Sequence, residues 1–77
     1  MKNDELLQRI EIDPNIAFGK PVVRGTRIPV WLILDLLEIG QQPQEIVGDY
    51  PGLTVEDVEA ARLYGEVDQS HRQVRAL

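Results

Sequence analysis

The side chains able to hold an anion outnumber those able to do covalent chemistry. Lys20, Arg24 and Arg27 are the only charged residues between Asp13 and Asp35, a local +3 in a chain of net charge −5, so the remainder carries −8. Arginine forks grip phosphate or carboxylate bidentately, and a bend at Gly25 lets backbone N–H groups face the same ligand. Lys20, Arg24 and Arg27 are therefore the candidate DNA- or anion-binding residues. The competing structural reading pairs Arg24 and Arg27 with Asp13, Asp35 or Glu38 of the same or a second chain. Gly19-Lys20 is not a phosphate loop, because the upstream glycine and the hydroxyl residue after lysine are missing.

Covalent catalysis has little to work with. There is no cysteine, and the single histidine, His71, lies near the C-terminal end. A Cys/His pair is excluded, and a Ser/His/Asp triad would have to be built on the tail. Asp35 and Glu38 fall three apart, a spacing that suits a solvated or salt-bridged helix stripe better than a metal site. No catalytic residue, metal or cofactor is expected, and the chain reads as a non-enzyme. The acidic net charge argues against nonspecific attraction to nucleic acid, which rests on phosphate neutralisation.

Three elements must position the basic segment. The central one is Pro29 to Gly40, PVWLILDLLEIG, where proline suits the first helical position and glycine the left-handed exit. Eight of the eleven residues from Pro29 to Ile39 are apolar. Such a helix must be covered on more than one side, which predicts a second copy as well as the rest of the chain. Trp31 and Leu34 on this helix, with Val22 and Val23 on the preceding ribbon, are the expected dimer or partner interface. Trp31 is a packing or interface anchor rather than a ligand platform.

The ribbon comes from two extended runs. In RIEIDP, Ile10 and Ile12 alternate with charges until Pro14, and in PVVRGTRIP, Val22 and Val23 favour strand while Gly25 marks a bend. After Gly40, Pro43 opens a short helix with Ile46, Val47 and Tyr50 on one face, weakened by Gly48. Pro51-Gly52 turns the chain. Thr54 then caps a third helix, with Asp57 completing a capping box and Leu53 stapled to Val58. Val55, Val58, Ala61 or Arg62, and Leu63 or Tyr64 are its expected core face; Gly65 can end it, but Leu63, Val67, Val74 and Leu77 lie close to one helical face, so the helix can also run on into the tail. Three helices with a tight turn between the last two resemble a helix-turn-helix. The third helix, however, would present Glu56, Asp57 and Glu59 to a DNA groove, which is repulsive.

The domain plan is thus a single unit, 1–77: a lead-in over 1–8, a ribbon or arm over 9–28, a three-helix bundle over 29–64, and a tail or helix extension over 65–77. A chain of this length buries a small core, and oligomerisation is a usual remedy. Met1 to Gln8 lacks the apolar stretch of a secretory signal. The Pro29 helix is about half of what a bilayer crossing needs. The expectation is a soluble, cytoplasmic protein with no membrane partner.

The stretch from Arg9 to Tyr64 resembles the small bacterial proteins catalogued as domain of unknown function 433. The resemblance rests on Ile12-Asp13-Pro14, on the string from Gly19 to Val30 (GKPVVRGTRIPV), on Leu36 to Gly40, on Pro43 to Ile46, and on Asp49 to Val58 (DYPGLTVEDV). It implies a mainly α, homeodomain-like three-helix bundle with an extended N-terminal arm, often dimeric. It also implies a type II antitoxin role beside a PIN-like nuclease toxin. The chain departs from the usual pattern at Gln42, where a Ser or Thr cap is common, at Phe18, where a small residue is common, and at Gly48. PIN-like nucleases gather carboxylates around divalent metal, so an arginine aimed at that pocket would inhibit. Arg72, Val74, Arg75 and Leu77 are the expected toxin-binding residues, the apolar pair anchoring. Operator DNA is a further expected ligand. The alternative readings are a stand-alone DNA-binding regulator and an adaptor with protein partners only.

Overall fold

The computed structural model describes residues 2–67. Asn3–Leu7 (α1) is followed by Ile10–Glu11 (β1), a tight turn at Ala17–Gly19, Val22–Val23 (β2), Val30–Glu38 (α2), Pro43–Asp49 (α3) and Val55–Val67 (α4). Among the described residues the architecture is mainly helical, with four helices and a small antiparallel sheet. Ile10 pairs with Val23 and Glu11 with Val22. An isolated bridge from Val22 to Pro29 folds the Arg24–Ile28 loop back on β2.

Helix ends follow local chemistry closely. Thr54 N–H donates to Asp57 Oδ2 at 3.0 Å and Asp57 N–H donates to Thr54 Oγ1 at 3.2 Å, a reciprocal capping box. Pro43 holds the first position of α3, and Gln42 N–H donates to Glu45 Oε1 at 2.7 Å. Pro29 sits one position earlier than expected: its ψ of 148° is extended, so it caps α2 and Val30 is the first helical residue. At the other end Gly40 (φ +100°) donates to Leu37 O at 3.1 Å, and Gln41 N–H donates to Leu36 O at 3.0 Å. That pair of bonds is the Schellman closure that a glycine exit permits.

The core is built by β2, α2, α3 and α4 together: Val23, Val30, Ile33, Ile46, Leu53, Val58 and Ala61 form one buried cluster. Ile33 and Ile46 are fully buried, and each contributes roughly 1.5–3 kcal/mol by leaving water. Leu53 and Val58 share this cluster, as a staple across the α4 N-terminus requires. α2 is covered less than its composition demands. Leu34, Leu36 and Leu37 pack partly against the core, but Trp31 and Ile39 are 38% and 77% exposed.

Three points go beyond the sequence reading or against it. Of a frayed segment or a short helix, the 1–8 lead-in takes the helix: α1 has no buried residue of its own and lies along α4, whose length supplies the surface that the short helix lacks. The bundle therefore has four helices, not three. Ile12 is 60% exposed rather than half-buried, because the paired strand stops at Glu11. Gly65 does not end α4, which continues to Val67. It is buried, and a Cβ added there would lie 2.9 Å from both δ-carbons of Leu34. Leu34 of α2 packs directly over Gly65 of α4, so the lack of a side chain there is used for packing.

Candidate functional site

The Gly19–Val30 string divides into inward residues that build the fold and outward residues that are left for other uses. Val22, Val23 and Val30 are buried. Thr26 Oγ1 donates to Val23 O at 2.8 Å and accepts Ile28 N–H at 3.0 Å, while Val23 N–H donates to Ile28 O at 3.0 Å. Gly25 supplies the positive φ (+82°) that this small loop needs. The string's high specificity is thus largely fold chemistry. Val22 and Val23 present no side-chain surface to a partner, and Leu34 faces the Gly65 groove. Of the four residues expected at an interface, Trp31 is exposed and Leu34 is partly buried, while Val22 and Val23 are fully buried.

The cations have separate fates. Arg24 Nε donates to Gln8 O at 2.9 Å and its Nη1 to Glu11 Oε1 at 3.2 Å. It is therefore held within the chain, by Glu11 rather than by Asp13, Asp35 or Glu38. Lys20 and Arg27 are exposed, and neither forms an ion pair with any described residue. These two remain of the expected anion-binding trio.

A second arginine, Arg9, was not legible as a functional group. Its Nη1 lies 3.1 Å from Asp57 Oδ1, and Asp57 is only 7% exposed. Arg9, Arg24, Glu5, Gln8 and Asp57 line a cleft of about 430 Å³. Two cations there face two carboxylates, and both guanidiniums already have partners, so the cleft has no surplus positive charge for an anion. The α4 N-terminus is equally unsuited to phosphate. Asp57 turns inward, Glu56 is exposed, and Glu59 engages Arg62, whose guanidinium it holds above its ordinary pKa by hydrogen bonding. Among the described residues no three His, Cys, Asp or Glu side chains are placed to share a metal ion. No described helix is long and apolar enough to cross a membrane.

The turn before β2 is where the local rules fail. Asn15 N–H donates to Asp13 Oδ1 (2.9 Å), Ile16 N–H to Asp13 O (2.9 Å), Gly19 N–H to Ile16 O (3.0 Å) and Lys20 N–H to Ala17 O (3.1 Å). Inside this frame three successive residues are left-handed: Ala17 (φ 51°), Phe18 (φ 58°) and Gly19 (φ 81°). Phe18 is 99% exposed. The turn is tied to the start of α2, because Val30 N–H donates to Pro21 O at 2.9 Å. Lys20, next to Pro21, and Trp31, next to Val30, are therefore neighbours along this pairing, with Phe18 two residues before Lys20, whereas Arg27 lies at the other end of the ribbon, opposite Arg24. The signal available in the sequence was Phe18 itself, an aromatic immediately before a glycine in a loop.

The tail residues expected to bind a toxin, Arg72, Val74, Arg75 and Leu77, lie outside the described residues, as does His71.

Comparison with known proteins follows this geometry. A family profile described as a protein of unknown function, DUF433, matches residues 10–64, from β1 through most of α4. The crystal structure of a DUF433 member protein from Anabaena variabilis superimposes with a TM-score of 0.80 at 35% sequence identity, covering 94% of this chain and 71% of that one. An uncharacterized protein, y4eO, of Sinorhizobium fredii is 34% identical over 68 residues, covering 84% of this chain. The matched region spans 31% of the length of that relative.

Proposed function

This chain belongs to the DUF433 family of proteins of unknown function, and we propose that it is a non-enzymatic, antitoxin-type protein that binds and neutralises a PIN-like nuclease encoded beside it. The observation that carries this reading is the corner formed by the Ala17–Gly19 turn and the start of α2. It offers an exposed aromatic ring, Phe18, and the exposed Lys20, with Arg27 exposed further along the same ribbon; neither cation has an ion-pair partner among the described residues, and the rest of the chain is acidic. A surface of that kind suits a protein partner rich in carboxylates, which is what a metal-binding nuclease pocket provides.

In this reading α2, α3 and α4 serve as a homeodomain-like trihelical unit, and two cytoplasmic copies associate through the exposed side of α2 around Trp31. Arg72, Val74, Arg75 and Leu77 add a second contact with the toxin. The test is co-expression with the product of the adjacent reading frame, reading complex formation and relief of growth arrest. A complex that forms and restores growth is the expected result, and the absence of any complex overturns the proposal. Truncation after Val67 then separates the two contacts: unchanged neutralisation removes the tail from the mechanism.

The unpaired state of Lys20 and Arg27 also favours a second reading, binding of the chain's own operator DNA. A salt-dependent mobility shift lost in Lys20→Ala/Arg27→Ala would support it, since each phosphate contact steepens the salt dependence.

A further inference from the structure

We infer that Phe18 is the anchor by which this chain docks on its protein partner, entering an apolar pocket whose rim carries carboxylates. The inference rests on the antitoxin-type reading and names the residue that makes the contact. Three observations converge on it. First, the backbone of Ala17 and Phe18 is left-handed, a conformation that non-glycine residues occupy at a penalty and that persists only where the surroundings enforce it. Second, the ring gives nothing back to the fold, since it is 99% exposed. A glycine or asparagine would serve the turn better on both counts.

Third, the turn is held rather than loose. The Asp13 carboxylate and three backbone hydrogen bonds close it, and the Pro21–Val30 bond fixes it to α2. An aromatic ring presented on a fixed backbone loses little freedom on docking, which is the property of hot-spot anchors.

Charge sets the character of the pocket. Asp13 lies at the base of the turn with its Oδ1 engaged by Asn15 N–H, and Lys20, two residues beyond Phe18, is exposed and has no ion-pair partner among the described residues. A partner offering an apolar hollow edged by Asp or Glu meets both features. Duplex or single-stranded nucleic acid would stack on the ring as well, but the remainder of the chain carries −8 and opposes it.

The test measures affinity for the co-expressed product of the adjacent reading frame together with the thermal stability of the free chain. Phe18→Gly is expected to weaken the complex by about 30-fold, the range of a hot-spot truncation. It should also raise the melting temperature of the free chain by about 4–8 °C as the left-handed strain is relieved. Phe18→Tyr, which keeps the ring, should retain binding within about threefold. Wild-type chain that forms no complex defeats the antitoxin-type reading and this inference with it. A wild-type complex left intact by Phe18→Gly defeats this inference alone. Loss of operator DNA binding with the protein complex unaffected would also overturn it, assigning the ring to nucleic acid instead.

Discussion

Two turns of this chain obey opposite rules. At the start of α4 every group is satisfied: Thr54 and Asp57 exchange hydrogen bonds, Asp57 also receives Arg9, and Leu53 and Val58 close the apolar side. At Ala17–Gly19 the backbone of two non-glycine residues is left-handed and the largest side chain is wholly in solvent. The first arrangement is what a sequence selected for stability looks like, each local preference agreeing with the tertiary one. The second contradicts local preference while being firmly held, and such contradictions concentrate at functional sites. The contrast locates function by where stability is given up, and substitutions in the two turns should move stability in opposite directions.

The largest effect is expected at Asp57. Replacing it with alanine removes the carboxylate that accepts Thr54 N–H, one of the two capping hydrogen bonds, and leaves Arg9 without its partner. Because the Arg9 side chain is 34% exposed, water recovers part of the loss. The expected destabilisation is about 2–3 kcal/mol, short of the roughly 3–5 of a fully buried pair. Chemical denaturation would measure it, and Asp57→Asn, which keeps an acceptor for Thr54 N–H, should recover about half. A loss under about 0.5 kcal/mol would mean that the α4 turn is no more demanding than ordinary surface, and the contrast would fail.

Next come two substitutions of similar size and opposite sign. Thr54→Ala should lower stability by about 1 kcal/mol, the usual worth of a threonine cap. Phe18→Gly should raise it by about 1 kcal/mol, because glycine enters the left-handed region freely and no packing is lost. Parallel denaturant titrations of the two variants test the comparison directly. If both destabilise, the Ala17–Gly19 turn is an ordinary structural turn and not a held exception.

Much of the α4 side of this comparison is readable from sequence. Thr54, Asp57, Leu53 and Val58 stand within six residues and obey a local grammar, as do Pro43 and Gly40 at their helix ends. Local grammar cannot supply the partner of Asp57, since Arg9 is 48 positions away and reaches it only once α1 and β1 lie against α4. Gly65 is ambiguous for the same reason: a glycine late in an apolar pattern can stop a helix or sit inside one, and only the approach of Leu34 shows it to be a packing position. α1 is polar along most of its length and gains its helix from α4. The Ala17–Gly19 turn is the least legible, because alanine and phenylalanine carry no preference for left-handed backbone. The candidate site was legible by charge alone: Lys20 and Arg27 were singled out, Arg24 was grouped with them although Glu11 holds it, and Phe18 registered only as a departure from a family pattern.

The smallest effect sharpens the comparison inside the basic segment itself. Arg24 and Arg27 are three residues apart with the same side chain, yet one is tied to Gln8 and Glu11 and the other to no ion-pair partner among the described residues. Arg24→Ala should therefore cost about 0.5 kcal/mol, the worth of an exposed pair plus one backbone acceptor, and that cost should shrink in high salt. Arg27→Ala should leave stability unchanged within about 0.5 kcal/mol. Partner binding should show the reverse order, with Arg27→Ala the more harmful, because a cation already neutralised by Glu11 has less to offer an acidic rim. Denaturation at two salt concentrations, set beside affinities for the co-expressed neighbour, separates the two roles. Equal binding losses would show that the Glu11 pair opens on docking, which would return Arg24 to the site and extend the functional corner along β2.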